Sequence, residues 1–398
     1  MGKSVLIIGE RFFPEEFLIN EVVTDLVKKG FTVSVLTQQP SYPYGKIFDG
    51  YQNKLFSRGT YQGVTVYRTA FVSGYHKSVV RKILNYLAFV LLGIYCVLIK
   101  ISKHDKVLVY QTGPLTQALI GVVAKWKFRC PLYIWTWDIW PDSVFAYGFK
   151  QNFAFKFFLN GMVKFIYSRA TSVWVSSPGF IEVIQRYVKE QTSFHFVPNW
   201  VQNVSPCDTG QITLSSHFNM TFTGNIGKVQ NLENVILGHA KAIETDDSLY
   251  LNIVGDGSAL ADLKMLVEQK SIANVKFWGR RPLEEMEHFF AQSQVLIISL
   301  NSDSVWSQYI PSKFQSYLGA KKPILGVLNG AVKEMIDLHQ IGLCADPASP
   351  EDIAGTMLQI RQLEEEDTLK IAQNSQKVLN QTFDRTTNLN KIADLLNS

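Results

Sequence analysis

Charge is scarce in this 398-residue chain: 18% of its residues are Asp, Glu, Lys or Arg, while 46% are hydrophobic and 13% aromatic. A disordered chain is excluded, because such apolar content can offset the entropy of ordering. Cysteine is scarcer still. Cys96, Cys130, Cys207 and Cys344 form no Cys-x-x-Cys pair and have no His at metal-ligand spacing, which argues against a disulfide framework or a structural zinc and points to a reducing compartment. There is no secretory signal at the start, since the apolar run 5–8 is short and Glu10 and Arg11 follow at once; a cytoplasmic location is expected. No low-complexity tract or short repeat occurs, and no Asp-x-Asp spacing for a divalent-metal clamp. The basic excess, 39 Lys and Arg against 34 Asp and Glu, is too mild for a nucleic-acid partner but suits phosphate-bearing ligands and anionic lipid.

What is present is an alternation of short β-branched or aromatic runs with helix-length amphipathic segments, the pattern of parallel sheets with helical crossovers. Strands are expected at 4–8, 31–36, 64–68, 106–110, 131–136, 172–176 and 194–197. After a polar stretch at 202–211 the pattern restarts, with strands at 218–223, 249–254, 274–278, 294–299, 323–327 and 341–345. Two α/β domains follow from this restart. In the first crossover Pro14 is expected at the first helical position, Glu15 and Glu16 at the positive end of the dipole and Gly30 at the close.

One run is unusually apolar. Residues 83–99 carry no charge, at the short limit for crossing a bilayer, with Lys77, Arg81 and Lys82 before and Lys100 and Lys103 after. Crossing would split strands that the α/β pattern needs in one sheet, leaving a buried helix or one lying in the lipid interface. The segment 149–169 favours lipid, because Phe149, Phe153, Phe155, Phe157, Phe158 and Phe165 interleave with Lys150, Lys156, Lys164 and Arg169, as expected on anionic headgroups.

The candidate chemistry lies at strand ends in the second half. FTGNIGKVQNLE at 222–233 reads as a strand, a turn with Gly224 and Gly227, and a helix opening near Asn231; such a turn brings backbone N–H groups and a helix dipole to an anion, with Lys228 as a mobile charge. Gly255-Asp256-Gly257 ends the next strand without the third glycine of a dinucleotide fingerprint. Gly279-Arg280-Arg281 follows the strand after, either a phosphate contact or a solvated pair. In IPSKFQSYLGAKKPIL at 310–325, Pro311, Ser312 and Lys313 open a helix whose N-terminus and ammonium group suit a diphosphate, with Gln315 positioned for ribose hydroxyls.

These blocks, with Val197-Pro198-Asn199-Trp200 between the halves, resemble retaining, nucleotide-sugar-dependent glycosyltransferases of family 4. FFPEEFLINE at 12–21, QPSYPYGKIFDGY at 39–51 and WDIWPDSVFAYG at 137–148 resemble a narrower branch that assembles colanic acid, capsule and O-antigen units and includes N-acetyl-L-fucosamine transferases. The resemblance runs in order along nearly the whole chain. It implies an α/β GT-B fold, two Rossmann-like domains facing across a cleft: an acceptor-binding domain at 1–203 with membrane-associating helices, a nucleotide-sugar domain at 204–375, and a last helix at 376–398 returning to the first. It implies a nucleotide-sugar donor, UDP-linked and carrying an N-acetylated or 6-deoxy sugar, an undecaprenyl-diphosphate-linked acceptor, no metal or other cofactor, and a peripheral or monotopic place on the cytoplasmic face of the inner membrane through residues 79–103 and 149–169.

Carried onto this sequence, the donor contacts fall on Gly224, Asn225, Lys228, Gly255, Asp256, Gly257, Arg280, Ser312, Lys313 and Gln315, the acceptor contacts on Glu15, Glu16 and Asp138, and the catalytic roles on Asp138, Lys313 and Glu16. Asp138 either orients a hydroxyl or caps the turn into Pro141; Glu15 and Glu16 serve equally well as first-turn helix carboxylates. The chain departs from the family where its glutamate pair would fall at Ser307 and Gln315, and where the Gly-Arg and Lys of its phosphate turn would fall at Asn225 and Gln230. Those departures leave a non-catalytic scaffold of the same fold as the alternative.

Overall fold

The computed structural model describes residues 3–146, 153–200, 212–302 and 306–398, which form two compact units: Met1–Pro198 with Thr386–Ser398, and Asn199–Arg385. The first unit contains strands β1 (Ser4–Ile8), β2 (Thr32–Gln38), β3 (Phe56–Tyr61), β4 (Val64–Thr69), β5 (Lys106–Gln111), β6 (Leu132–Thr136), β7 (Ser172–Val175) and β8 (Ser193–Phe196). Its helices are α1 (Leu18–Lys28), α2 (Val79–Tyr95), α3 (Ala118–Phe128), α4 (Asp142–Ala146), α5 (Phe153–Tyr167) and α6 (Phe180–Ile184). The strands make one sheet in the order β3-β4-β2-β1-β5-β6-β7-β8, parallel except for the β3–β4 hairpin. Its central strands are sealed on both faces: Val5 to Ile8 and all six residues of β5 are buried, as a parallel sheet covered by helices requires.

The second unit runs β9 (Phe218–Thr223), α7 (Leu232–Ala242), β10 (Leu249–Val254), α8 (Leu260–Gln269), β11 (Val275–Gly279), α9 (Met286–Gln292), β12 (Val295–Ser299), α10 (Lys313–Ala320), β13 (Ile324–Val327), α11 (Ala331–His339), β14 (Gly342–Ala345), α12 (Pro350–Arg361) and α13 (Glu365–Thr382). Its sheet is parallel, ordered β11-β10-β9-β12-β13-β14. A last helix, α14 (Arg385–Asn397), belongs almost wholly to the first unit, where Lys3 Nζ donates to the Asn397 carbonyl at 2.6 Å. In each sheet the strand order reverses direction beside the first strand, between β1 and β5 and between β9 and β12. Ligands of open α/β sheets bind outside the carboxyl ends at such a switch point.

Two local expectations are corrected. Helix α1 begins at Leu18, with Phe17 as its N-cap and Glu21 as the acid in its first turn. Pro14, Glu15 and Glu16 therefore lie in the loop before it, and neither glutamate sits in the helix's first turn. At the other end Gly30 does close the helix, with φ +82° and its N–H donating to the Val27 carbonyl. The sequence reading also has no counterpart to β3, whose residues are half-buried or exposed and so lack the apolar alternation of a strand; the turn into β4 passes through Gln62 and Gly63, both at positive φ, as a two-residue hairpin demands.

Candidate functional site

Three loops at the carboxyl ends of β9, β10 and β11 are stitched together by main-chain hydrogen bonds. Gly224 N–H donates to the Val254 carbonyl at 2.9 Å, Ile226 N–H to that of Asp256 at 2.9 Å, and Gly255 N–H to that of Gly279 at 2.8 Å. The approach is backbone against backbone, which only glycine allows. A Cβ on Gly255, whose φ is +146°, would stand 1.8 Å from the Gly224 carbonyl oxygen, and one on Gly257 would stand 2.3 Å from that of Ile226. The Gly224 turn closes on itself, because Gln230 Oε1 accepts from the Gly227 N–H at 3.0 Å and from Asn225 Nδ2 at 3.4 Å.

Beneath this rim lies Lys313, the first residue of α10. Its Nζ sits 3.6 Å from the centroid of the Phe222 ring and close under Gly224, where a Cβ would come within 3.1 Å of it. The stem is half-buried, but the amine itself is sealed and has no hydrogen-bond partner among the described residues. Burial pulls its pKa down from 10.5 to about 7, because a charge removed from water without a counterion is disfavoured. The aromatic face returns part of that loss as a cation–π contact. One helical turn on, the Tyr317 hydroxyl accepts from the Thr223 N–H at 2.9 Å, so α10 fixes both the amine and the end of β9.

The other donor-side candidates divide. Gly224, Asn225, Lys228, Asp256, Arg280 and Ser312 are exposed and Gly255 and Gly257 half-buried around the same strand ends. Gln315 is different: it is 1% exposed, and in the orientation its surroundings demand its amide nitrogen donates to the Ser312 carbonyl at 2.7 Å and the Pro311 carbonyl at 3.2 Å. It braces the start of α10, and the ribose contact expected of it is not what this geometry provides.

In the first unit, the carboxyl ends of β1 and β2 hold a buried polar cluster. Arg11 donates through Nη2 to Glu10 Oε1 at 3.1 Å and to the Tyr75 hydroxyl at 3.1 Å, and through Nη1 to Ser41 Oγ at 3.3 Å. Burial alone would lower its pKa, but Glu10 and Glu15 more than reverse that and hold the guanidinium charged. Glu15 Oε1 accepts from the Ser41 and Tyr42 N–H groups at 2.8 and 2.7 Å; burial raises its pKa against the pull of Arg11 and those two donors. Glu15 is thus occupied in shaping the 41–42 turn, while Glu16 is exposed.

Asp138, two residues past β6, is half-buried, and its carbonyl accepts from Thr136 Oγ1 at 3.0 Å. Burial, and after it the nearby Glu10 carboxylate, raises the pKa of the Tyr86 hydroxyl on α2. Glu10, Arg11, Tyr75 and Asn85 are absent from the sequence-based site. Asn85 shows how they assemble: wholly buried on α2, its Nδ2 donates to Glu10 Oε1 at 3.0 Å and to Gln38 Oε1 at 3.2 Å, and its Oδ1 accepts from the Val72 N–H at 2.9 Å. A lone amide inside the uncharged run 83–99 was the available signal. Among the described residues no three His, Cys, Asp or Glu side chains are grouped to hold a metal.

With this geometry in view, the relatives are informative. Residues 216–378 match the family model of glycosyl transferases group 1. The probable glycosyltransferase WbjE of Pseudomonas aeruginosa is 26% identical over 305 residues, covering 74% of this chain and 72% of that protein. The chain is a glycosyltransferase. The putative colanic acid biosynthesis glycosyl transferase WcaI of Escherichia coli K12 is 21% identical over 393 residues, covering 92% of this chain and 94% of the relative. In fold, the enzyme superposes on Anabaena Alr3699/HepE, solved in complex with UDP and glucose, with a TM-score of 0.67, 14% identity and 99% of both chains covered. The two parallel α/β sheets are those of the GT-B class.

Proposed function

We propose that this glycosyltransferase moves a sugar from a UDP-linked donor to a saccharide carried on undecaprenyl diphosphate, with retention at the anomeric carbon, at the cytoplasmic face of the inner membrane during O-antigen or capsule assembly. The sugar fits an N-acetylated or 6-deoxy type by the branch its motifs resemble. The observation that carries the donor half is the sealed, unpartnered Lys313 amine under the Gly224 turn. A diphosphate at that turn supplies a counterion to the amine. HepE's complexes with UDP and with UDP-glucose support a nucleotide-sugar donor, and the assembly role draws on WcaI, named for colanic acid biosynthesis.

In the transfer, the acceptor oxygen bonds to the anomeric carbon as the bond to the diphosphate breaks, on one face, and the departing phosphate oxygen takes the acceptor proton. Charge builds on the leaving diphosphate. Lys313 and the helix start at Ser312 stabilise that charge, and fixed donors of this kind contribute most when they are in place before the reaction. Asp138 orients the acceptor hydroxyl or the donor sugar; the turn hydrogen bonds are made by its carbonyl.

The test is transfer by purified full-length protein from UDP-N-acetyl sugars to a synthetic polyprenyl-diphosphate-linked sugar, with product read by mass. Lys313→Ala should lower kcat/KM by roughly 10²–10³ with the fold intact; wild-type turnover in that variant would overturn the donor assignment. Asp138→Asn should lower kcat with little change in UDP binding, and an unchanged kcat removes Asp138 from the mechanism.

A further inference from the structure

We propose that α2, α3 and α5 present one continuous face that docks on an anionic lipid bilayer and enters its interface without crossing it. The inference rests on the lipid-linked acceptor reading and names the surface that would bring the enzyme to that substrate. It begins with a helix that is apolar on both sides. Asn85, Phe89, Val90 and Gly93 of α2 face the core, with Gly93 so close to Ile120 of α3 that a Cβ would lie 2.5 Å from it. The opposite stripe, Val80, Leu84, Leu87 and Leu91, is 49–67% exposed. A helix at a water-facing surface has a polar outer face; past Arg81 and Lys82 in its first turn, this one exposes only apolar and aromatic side chains.

The topology extends that stripe into a surface. The connections β4 to β5, β5 to β6 and β6 to β7 all step in the same direction across the sheet, so right-handed crossovers put α2, α3 and α5 on one face. Side chains join them. Lys127 of α3 donates to the carbonyls of Val97, Leu98 and Ile101 in the segment that follows α2. Its neighbour Trp126, 54% exposed, meets Phe165 of α5 at 6.1 Å between ring centroids, and Arg169 stacks 3.7 Å over Phe165. Beyond it, Phe157 and Phe158 are 74% and 65% exposed. Residues 149–152, part of the segment that the sequence marked for lipid, lie outside the described residues.

Charge selects the occupant. The three helices carry six Lys and Arg, namely Arg81, Lys82, Lys125, Lys127, Lys156 and Lys164, and no Asp or Glu. Exposed apolar side chains framed by cations and almost free of carboxylates fit an anionic interface. A second copy is disfavoured because it would set the same cations against each other. The segment Val79–Lys100 is long and apolar enough to cross a membrane by length and composition, yet β4 before it and β5 after it are strands of one sheet, and no crossing keeps both on the same side.

Co-sedimentation of the full chain with vesicles tests this. The protein should pellet with phosphatidylglycerol in phosphatidylcholine, much less with phosphatidylcholine alone, and be released by high salt. Leu87→Glu with Leu91→Glu, at exposed positions, should reduce binding at least about tenfold, as should Trp126→Glu with Phe158→Glu. Lys156→Gln and Lys164→Gln should each weaken it about fivefold. All should keep wild-type transfer to a water-soluble short-chain acceptor. Wild-type protein that stays in the supernatant with phosphatidylglycerol vesicles, double variants that pellet like wild type, or a dimer formed through this face in place of lipid binding would each overturn the inference. Vesicle binding without any sugar transfer would count against the proposed function and leave the docking face standing.

Discussion

Binding of a UDP-sugar to the second unit should take up a proton at Lys313, in an amount set by its burial. The shift from 10.5 to about 7 means that holding the charged amine in its ligand-free seat costs about 5 kcal/mol relative to water. At pH 7 about half of the free protein's Lys313 amines are neutral, and at pH 8 about nine-tenths. The bound diphosphate carries fixed negative charge through this range and restores the ordinary pKa. Uptake should therefore be about 0.5 proton at pH 7 and about 0.9 at pH 8, with affinity falling roughly tenfold per pH unit above 7. Titration calorimetry with UDP-N-acetylglucosamine in two buffers of different ionisation heat measures it. Lys313→Arg, always charged, should bind without uptake. Uptake near zero at pH 8 in wild type, or equal uptake in Lys313→Met, would refute the reasoning. The same shift has a sign for the ligand-free fold: between pH 7 and 10.5 the unfolded chain holds the extra proton, so the second unit gains stability as pH rises through that window.

Three further outcomes follow from packing and burial. Gly257→Ala drives a Cβ into the Ile226 carbonyl and should lower UDP-sugar affinity about 100-fold by parting the laced loops, read by calorimetry together with the melting temperature. Asn85→Leu strands the Val72 N–H and removes a donor from Glu10; a loss of about 3 kcal/mol, roughly 6–12 °C in melting temperature, is expected. His239, wholly buried, has its pKa pulled by burial from 6.5 to about 4. Its contribution is present above pH 6.5 and fades as pH falls toward 4, so acid should cost the second unit about 3 kcal/mol that His239→Leu does not lose, as urea melts across that range would show.

How much of this was legible depended on how local each cause is. Thirteen strands stand out because a buried parallel strand is a short apolar run in any context, and β3 did not because its side chains face water. The helix start at Lys313 was readable from Pro311-Ser312, a local signal. The sealing of its amine was not, because Phe222 and Gly224 arrive from β9, some ninety residues earlier in the chain. Glu15 was misread for a related reason: a glutamate after proline looks like a first-turn acid until the Ser41 and Tyr42 N–H groups claim it. The Glu10–Arg11–Ser41–Asn85 cluster draws on three separated segments, and only folding brings them together.

The return of α14 to the opening residues gives the molecule a consequence for engineering. Topologically the second unit is an insertion with two seams, at Pro198–Asn199 and at Arg385–Thr386, and the segments on either side of it belong to the same unit. A graft that exchanges this half for a homologue's must splice at both seams. One that cuts only once forfeits the final helix, and with it the strap that fastens Lys3 to Asn397.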